Sequence, residues 1–228
     1  MPRVALVTGA SGTLGGAVAR RLAAGGWSVL AAGGRRPVPE GEGITPASCD
    51  LRDASCAAEL VRRAAVLGPL RALVHCAGAG GRELIPRLSA EEFDEAVSVN
   101  LRSAFLLARE VSGVMEGGHI LFVSSILGLR GGVGTAAYSA AKGGLIGLGK
   151  SLAAELGGRG VAVNVLIPGY FDSAMTAPHP EARRRALEES ALGRLGDPEE
   201  VAGFVEWLLS SQNVSGQVFA LEGRALPA

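Results

Sequence analysis

Cysteine is scarce in this chain. Cys49, Cys56 and Cys76 are odd in number and have no metal-ligand spacing, so a disulfide scaffold and a metal site are excluded and free thiols in a reducing compartment are expected. Charge of either sign is not in excess. Lys plus Arg and Asp plus Glu stand at 22 each, which leaves no global field to draw the chain to nucleic acid or an anionic membrane. Long apolar runs are missing too. The best, Ile120 to Leu129, is broken by Ser124, Ser125 and Gly128, whereas a spanning helix needs about 20 apolar residues. The apolar run after Arg3 ends at Thr8-Gly9, too short for the core of a secretory leader. No repeat of 20–50 residues and no low-complexity linker divides the sequence. A cytoplasmic globular protein is expected.

What is present is core material. The chain has 228 residues, 48% of them apolar. A chain of this size can bury roughly 70% of its unfolded surface in one domain, here residues 1–228. Short aliphatic runs predict strands near Val4–Val7, Ser28–Ala32, Ala72–His75, His119–Val123, Val161–Ile167 and Gln217–Leu221, with a weaker one near Ile44–Cys49. They are apolar without alternation, the pattern of strands covered by helices on both faces. Helical stretches between them predict an α/β fold, a doubly wound parallel sheet. Between the second and third strands, Pro37, Pro39 and several glycines oppose a helix, so that crossover is predicted to be short. A polar segment at about 173–197, with Pro178, Pro180 and an Arg183–Arg185 run, suits a lid.

After the first strand the sequence reads Thr8-Gly9-Ala10-Ser11-Gly12-Thr13-Leu14-Gly15 and runs into a helical stretch. Glycines in a strand-to-helix turn allow backbone to approach a pyrophosphate at the helix N-terminus. This turn resembles the Thr-Gly-x-x-x-Gly-x-Gly of the short-chain dehydrogenase/reductase family, which has a Rossmann fold. Its middle glycine falls on Thr13, with Gly12 one place early. The resemblance implies that Gly9, Ser11, Gly12, Thr13, Leu14 and Gly15 hold a dinucleotide.

In dinucleotide folds an acid after the second strand holds the ribose of NAD, and arginine accepts the extra phosphate of NADP. Here Arg35 and Arg36 stand after that strand and the nearest acids, Glu40 and Glu42, lie beyond two prolines. NADP(H) is favoured, with Arg35 the better contact. Asp50-Leu51 resembles the family's adenine-receiving pair. His75-Cys76-Ala77-Gly78 resembles its Asn-Asn-Ala-Gly, with both asparagines replaced. The resemblance implies contacts from Cys76, Ala77 and Gly78 to the ribose, and leaves His75 as a strand-end histidine bonded to backbone.

Tyr138 and Lys142 lie four apart, on one face of a predicted helix. An ammonium at roughly 4 Å in an effective dielectric near 20 is worth about 4 kcal/mol, or about three pKa units on the phenol, so the pair suits acid–base work. Ser125 precedes Tyr138 by thirteen residues and Asn100 lies on the helix before, spacings that resemble the family's catalytic set. The resemblance implies Tyr138 as proton donor, Ser125 as the group that fixes the carbonyl oxygen, Lys142 as pKa modulator and ribose ligand, and Asn100 as anchor of a water relay. Ser124 is read as structural. Pro168-Gly169-Tyr170-Phe171-Asp172-Ser173 resembles the segment beside the nicotinamide, which implies contacts from Pro168, Gly169, Phe171 and Ser173. Met175 is read as a lid or packing residue. Gly193–Ala202 and Ser215–Val218 resemble bacterial 3-oxoacyl-(acyl-carrier-protein) reductases. The likeness implies reduction of a ketone, best a 3-oxoacyl thioester. An acyl carrier protein that meets Arg102 or Arg130, and a homodimer or homotetramer paired through the Ala- and Gly-rich helices near 103–110 and 139–155, follow from the same likeness. Another secondary alcohol, or a non-catalytic cofactor-binding role, remains open at this point.

Overall fold

The computed structural model describes residues 3–34 and 36–225. Seven strands form one parallel sheet: β1 Val4–Thr8, β2 Ser28–Gly33, β3 Ile44–Ser48, β4 Leu70–His75, β5 Gly118–Val123, β6 Val161–Ile167 and β7 Val218–Ala220, in the order β3-β2-β1-β4-β5-β6-β7. All seven expected strands are present. The helices are α1 Thr13–Ala24, α2 Ala54–Leu67, α3 Ala90–Val97, α4 Ser103–Ser112, α5 Leu127–Arg130, α6 Ala136–Leu156, α7 Pro180–Glu189 and α8 Pro198–Ser210.

Alternate residues of the same strand feed opposite cores, because side chains alternate across a pleated sheet. Val4, Leu6, Leu73, Ile120, Phe122 and Val163 pack under α2, α4 and α6. Ala5, Val7, Val74, Leu121, Val123 and Leu166 pack under α1 and α8. Both cores are largely aliphatic, which explains why the central strands are apolar at most residues. The described residues of 34–43 contain no helix, in keeping with a short crossover. The strand order reverses at β1, whose last residue, Thr8, is level with Ala32 of β2 and His75 of β4. A crevice opens beyond the carboxyl ends at such a switch point.

Two local expectations change, and a third segment gains detail. Cys49 and Cys56 are paired sulfur to sulfur, with Cα atoms 6.0 Å apart, where free thiols were expected. The turn capped by Asp53, whose carboxylate accepts from Ser55 N–H, brings the end of β3 back over the first turn of α2, a contact that cysteine spacing does not reveal. Cys76 is the free thiol among the described residues. Second, the polar segment at 173–197 contains α7, begun by Pro180 at its first turn and braced by Arg184 with Glu181 and Glu188. Third, Asn100 lies on a π-helical turn, Ser98–Arg102, not on a regular helix.

Candidate active site

The wall nearest β1 is made of backbone. Gly9 has φ +68°, and a Cβ there would lie 2.7 Å from Ala77 N, so only glycine fits. Gly12 N–H donates to Gly9 O at 2.9 Å, and Gly12 caps α1. Thr13 is the first helical residue, exposed, and lines the cleft. No described non-glycine residue has positive φ, so position 13 carries a side chain without backbone strain. The turn keeps its shape with its second glycine one place early.

The cleft has a volume of about 680 Å³ and adjoins a hollow of about 550 Å³ beside β2 and β3. The described residues expected to hold the dinucleotide line the cleft, except Asp50, Leu51 and Ala77, which line the hollow. Arg35 lies outside the described residues; Arg36 lines the cleft. Ser125, Tyr138 and Lys142 also line it. Asn100 does not. It is fully buried, accepts from Ala79 N–H at 3.1 Å, and donates to the carbonyls of Ala79 and Ala96 at 3.0 and 2.9 Å. Both its amide protons are used within the protein, so it clamps the loop after β4 in place of presenting a donor to the cleft.

Tyr138 and Lys142 ride on α6, whose start is braced by Thr135: its hydroxyl donates to Gly132 O and meets Ser139 Oγ at 3.0 Å. Burial raises the Tyr138 pKa, and a hydrogen bond with the Ser125 side chain opposes that rise. Lys142 is 4% exposed and donates from Nζ to Val123 O at 2.8 Å. Burial lowers it to about 8. Its Nζ sits over the Tyr138 ring, 5.7 Å from its centre. The expected depression of the phenol by the ammonium is therefore corrected: desolvation dominates, and Tyr138 stays protonated at neutral pH. Ser124 is structural as expected, its hydroxyl donating to Lys142 O at 2.7 Å. Gly128 makes that approach possible, since a Cβ there would lie 2.8 Å from Lys142 C.

His75 is also corrected. It is wholly buried and meets side chains, not backbone: Thr8 Oγ1 at Nδ1, 2.9 Å, and Ser103 Oγ at Nε2, 3.3 Å. Burial, then the charge of Lys142, lowers its pKa to about 3. Cys76, half-buried in the cleft wall, is pushed up to about 12 by burial.

The opposite wall is the 173–197 segment. Ser173 and Thr176 bond one another through their hydroxyls at 3.1 Å, so the Ser173 hydroxyl serves a turn. Met175 reaches Gly80, where a Cβ would lie 3.3 Å from its Cγ. Arg130 pairs with Glu189 at 2.8 Å, and the exposed Arg102 donates to Arg52 O. Sequence reasoning missed Thr8, Ser103, Thr135 and Glu189. Only Thr135, just before a helix, carried a local signal.

The family model described as short chain dehydrogenase matches residues 3–184. A 3-oxoacyl-(acyl-carrier-protein) reductase of Rickettsia conorii is 36% identical over 98% of this chain and 97% of that protein. The corresponding reductase of Escherichia coli K12 is 34% identical over 97% and 96%. A crystal structure of an actinorhodin polyketide ketoreductase variant with NADPH aligns with TM-score 0.89 and 29% identity, covering 97% of this chain and 96% of that one. With its parallel sheet, its glycine turn and a family match over most of its length, this chain belongs to the short-chain dehydrogenase family of oxidoreductases.

Proposed function

We propose that this protein is an NADPH-dependent reductase that converts a ketone to a secondary alcohol, with a 3-oxoacyl thioester as substrate. The observation that carries the reading is the meeting of Tyr138, Ser125 and Lys142 in one cleft with the glycine turn. The cleft fits a dinucleotide. A Cβ at Gly78 would lie 2.7 Å from Asn100 Oδ1 and 3.2 Å from Lys142 Nζ, so the wall is kept flat beside the lysine. Arg36 supplies a cation for a 2′-phosphate, and Arg35 is its partner in this reading. When bound, NADPH supplies the hydride.

The residues do the rest. Tyr138, a phenol that is protonated at neutral pH, donates its proton to the carbonyl oxygen as negative charge develops there. Ser125 donates a hydrogen bond to the same oxygen and fixes its position. Lys142 holds ribose hydroxyls and keeps positive charge beside the developing alkoxide. Asn100 acts through the loop at Ala79, which it clamps. The thioester rests on the names of the 3-oxoacyl reductases that the chain resembles; the polyketide ketoreductase likeness favours a second reading, another ketone in the same cleft. An acyl carrier protein as partner, pairing through α4 and α6, where Phe105 is 47% exposed, and a cytoplasmic location belong to the same proposal.

The test is a kinetic screen of NADPH and NADH against 3-oxoacyl thioesters and small ketones. NADPH-dependent loss of the ketone is expected. A clear NADH preference overturns the role of Arg35 and Arg36. Cofactor binding without turnover on any ketone would turn the protein into a cofactor-binding module.

A further inference from the structure

The buried contacts of His75 form a chain whose direction can be deduced by counting protons. Ser103 Oγ donates to Val99 O at 2.7 Å. A hydroxyl has one proton, so at Nε2 Ser103 can only accept, and the ring must donate there. Burial keeps the ring neutral, so Nδ1 is then the acceptor and takes the Thr8 hydroxyl proton at 2.9 Å. Thr8 Oγ1 in turn accepts from Ala77 N–H at 3.4 Å. One polarised line therefore runs from Ala77 N–H through Thr8, His75 and Ser103 to Val99 C=O. It ties the phosphate turn, the loop after β4 and the π-helical turn together. The same π turn grips that loop a second time, through Asn100 and Ala79.

We propose that His75 is a positioning residue, held as the Nε2–H tautomer, that fixes the loop Cys76–Ala79 against the cofactor cleft. The loop lines the cleft and the hollow with Cys76, Ala77 and Gly78, and Gly9 packs directly on Ala77. A break in the line leaves buried donors and acceptors unmet on three segments at once. The loop's role rests on the reductase reading; the tautomer does not. Lys142 is the charged group that faces the ring.

The test joins nitrogen-15 NMR of the histidine rings with NADPH titration. In the wild type the His75 proton is expected on Nε2 throughout pH 5–8. His75→Leu should raise the Kd for NADPH about ten- to a hundredfold, the effect of one lost buried hydrogen bond. His75→Asn, whose amide offers one acceptor and one donor, should stay within about threefold of wild type. A proton on Nδ1 overturns the chain. A folded His75→Leu with unchanged Kd and a lowered Tm overturns the positioning role. Should His75→Leu fail to fold, Ser103→Ala decides: a Kd raised about fivefold or more supports the line, and an unchanged Kd refutes it. A wild type that binds no nicotinamide cofactor overturns the reductase reading and the loop's role with it, while the NMR result still reports the tautomer.

Discussion

The two walls of the cleft are built by different means. On the strand-end wall, buried hydrogen bonds join residues far apart in the chain: Thr8 to His75, His75 to Ser103, Ala79 to Asn100, Lys142 to Val123. Thr8, His75, Asn100, Ser103 and Lys142 are each no more than 4% exposed. The 173–197 wall is held from outside. Of α7 only Ala186 is buried, and its fastenings are ion pairs such as Arg183–Asp172, with side chains 48% and 62% exposed. Exposed pairs of this kind contribute about 0–1 kcal/mol each, whereas an unmet buried polar group costs about 1–3 kcal/mol. The contrast is one of means: buried hydrogen bonds on the strand-end wall, exposed ion pairs on the other, which opens at lower cost.

That contrast can be broken in order of effect. Tyr138→Phe should lower kcat/KM by about 10²–10⁴-fold with the NADPH Kd unchanged, as read by steady-state kinetics and fluorescence titration; loss of binding would mean that the phenol is structural. Acid stability comes next. His75 has a folded pKa near 3, below its ordinary 6.5, so between these values the unfolded chain binds a proton that the native state refuses. Stability from this group is full above about pH 6.5 and is lost as pH falls toward 3, by at most about 5 kcal/mol. Urea titrations should show a shallower acid loss for His75→Asn. Gly78→Val forces a side chain onto Asn100 and Lys142 and should weaken NADPH binding about ten- to a hundredfold. Arg130→Gln, which opens the pair with Glu189 between α5 and α7, should change the substrate KM by less than about fivefold and stability by less than about 1 kcal/mol. A larger loss there than at Gly78 would reverse the ranking of the walls.

The same division decides what the sequence discloses. The central strands were legible because burial on both faces leaves a nearly continuous aliphatic run, as in Val161–Ile167, broken only by Asn164. Tyr138 and Lys142 were legible because four residues of spacing put them on one helix face, and Ser125 because its distance from Tyr138 resembles the family's. Thr8, His75 and Ser103 were not, since their partnership arises only when β1, β4 and α4 are packed together. Lys142 shows the same limit: its spacing from Tyr138 was plain, but its bond to Val123 O, which holds the ammonium over the ring, depends on β5. α7 hid behind Pro178 and Pro180, although Pro180 sits in the first turn, where a helix tolerates proline. The pairing of Cys49 with Cys56 needed the turn between them.

The central claim is that this cleft delivers hydride to a ketone carbon while Tyr138 protonates the oxygen. Its most direct measurement is the fate of label when the protein is given NADPH deuterated at the transferable position and a 3-oxoacyl thioester. The account predicts a 3-hydroxyacyl product with one deuterium on the new carbinol carbon, formed one for one with oxidised cofactor. Bound cofactor with its deuterium untouched and the ketone recovered intact would contradict it.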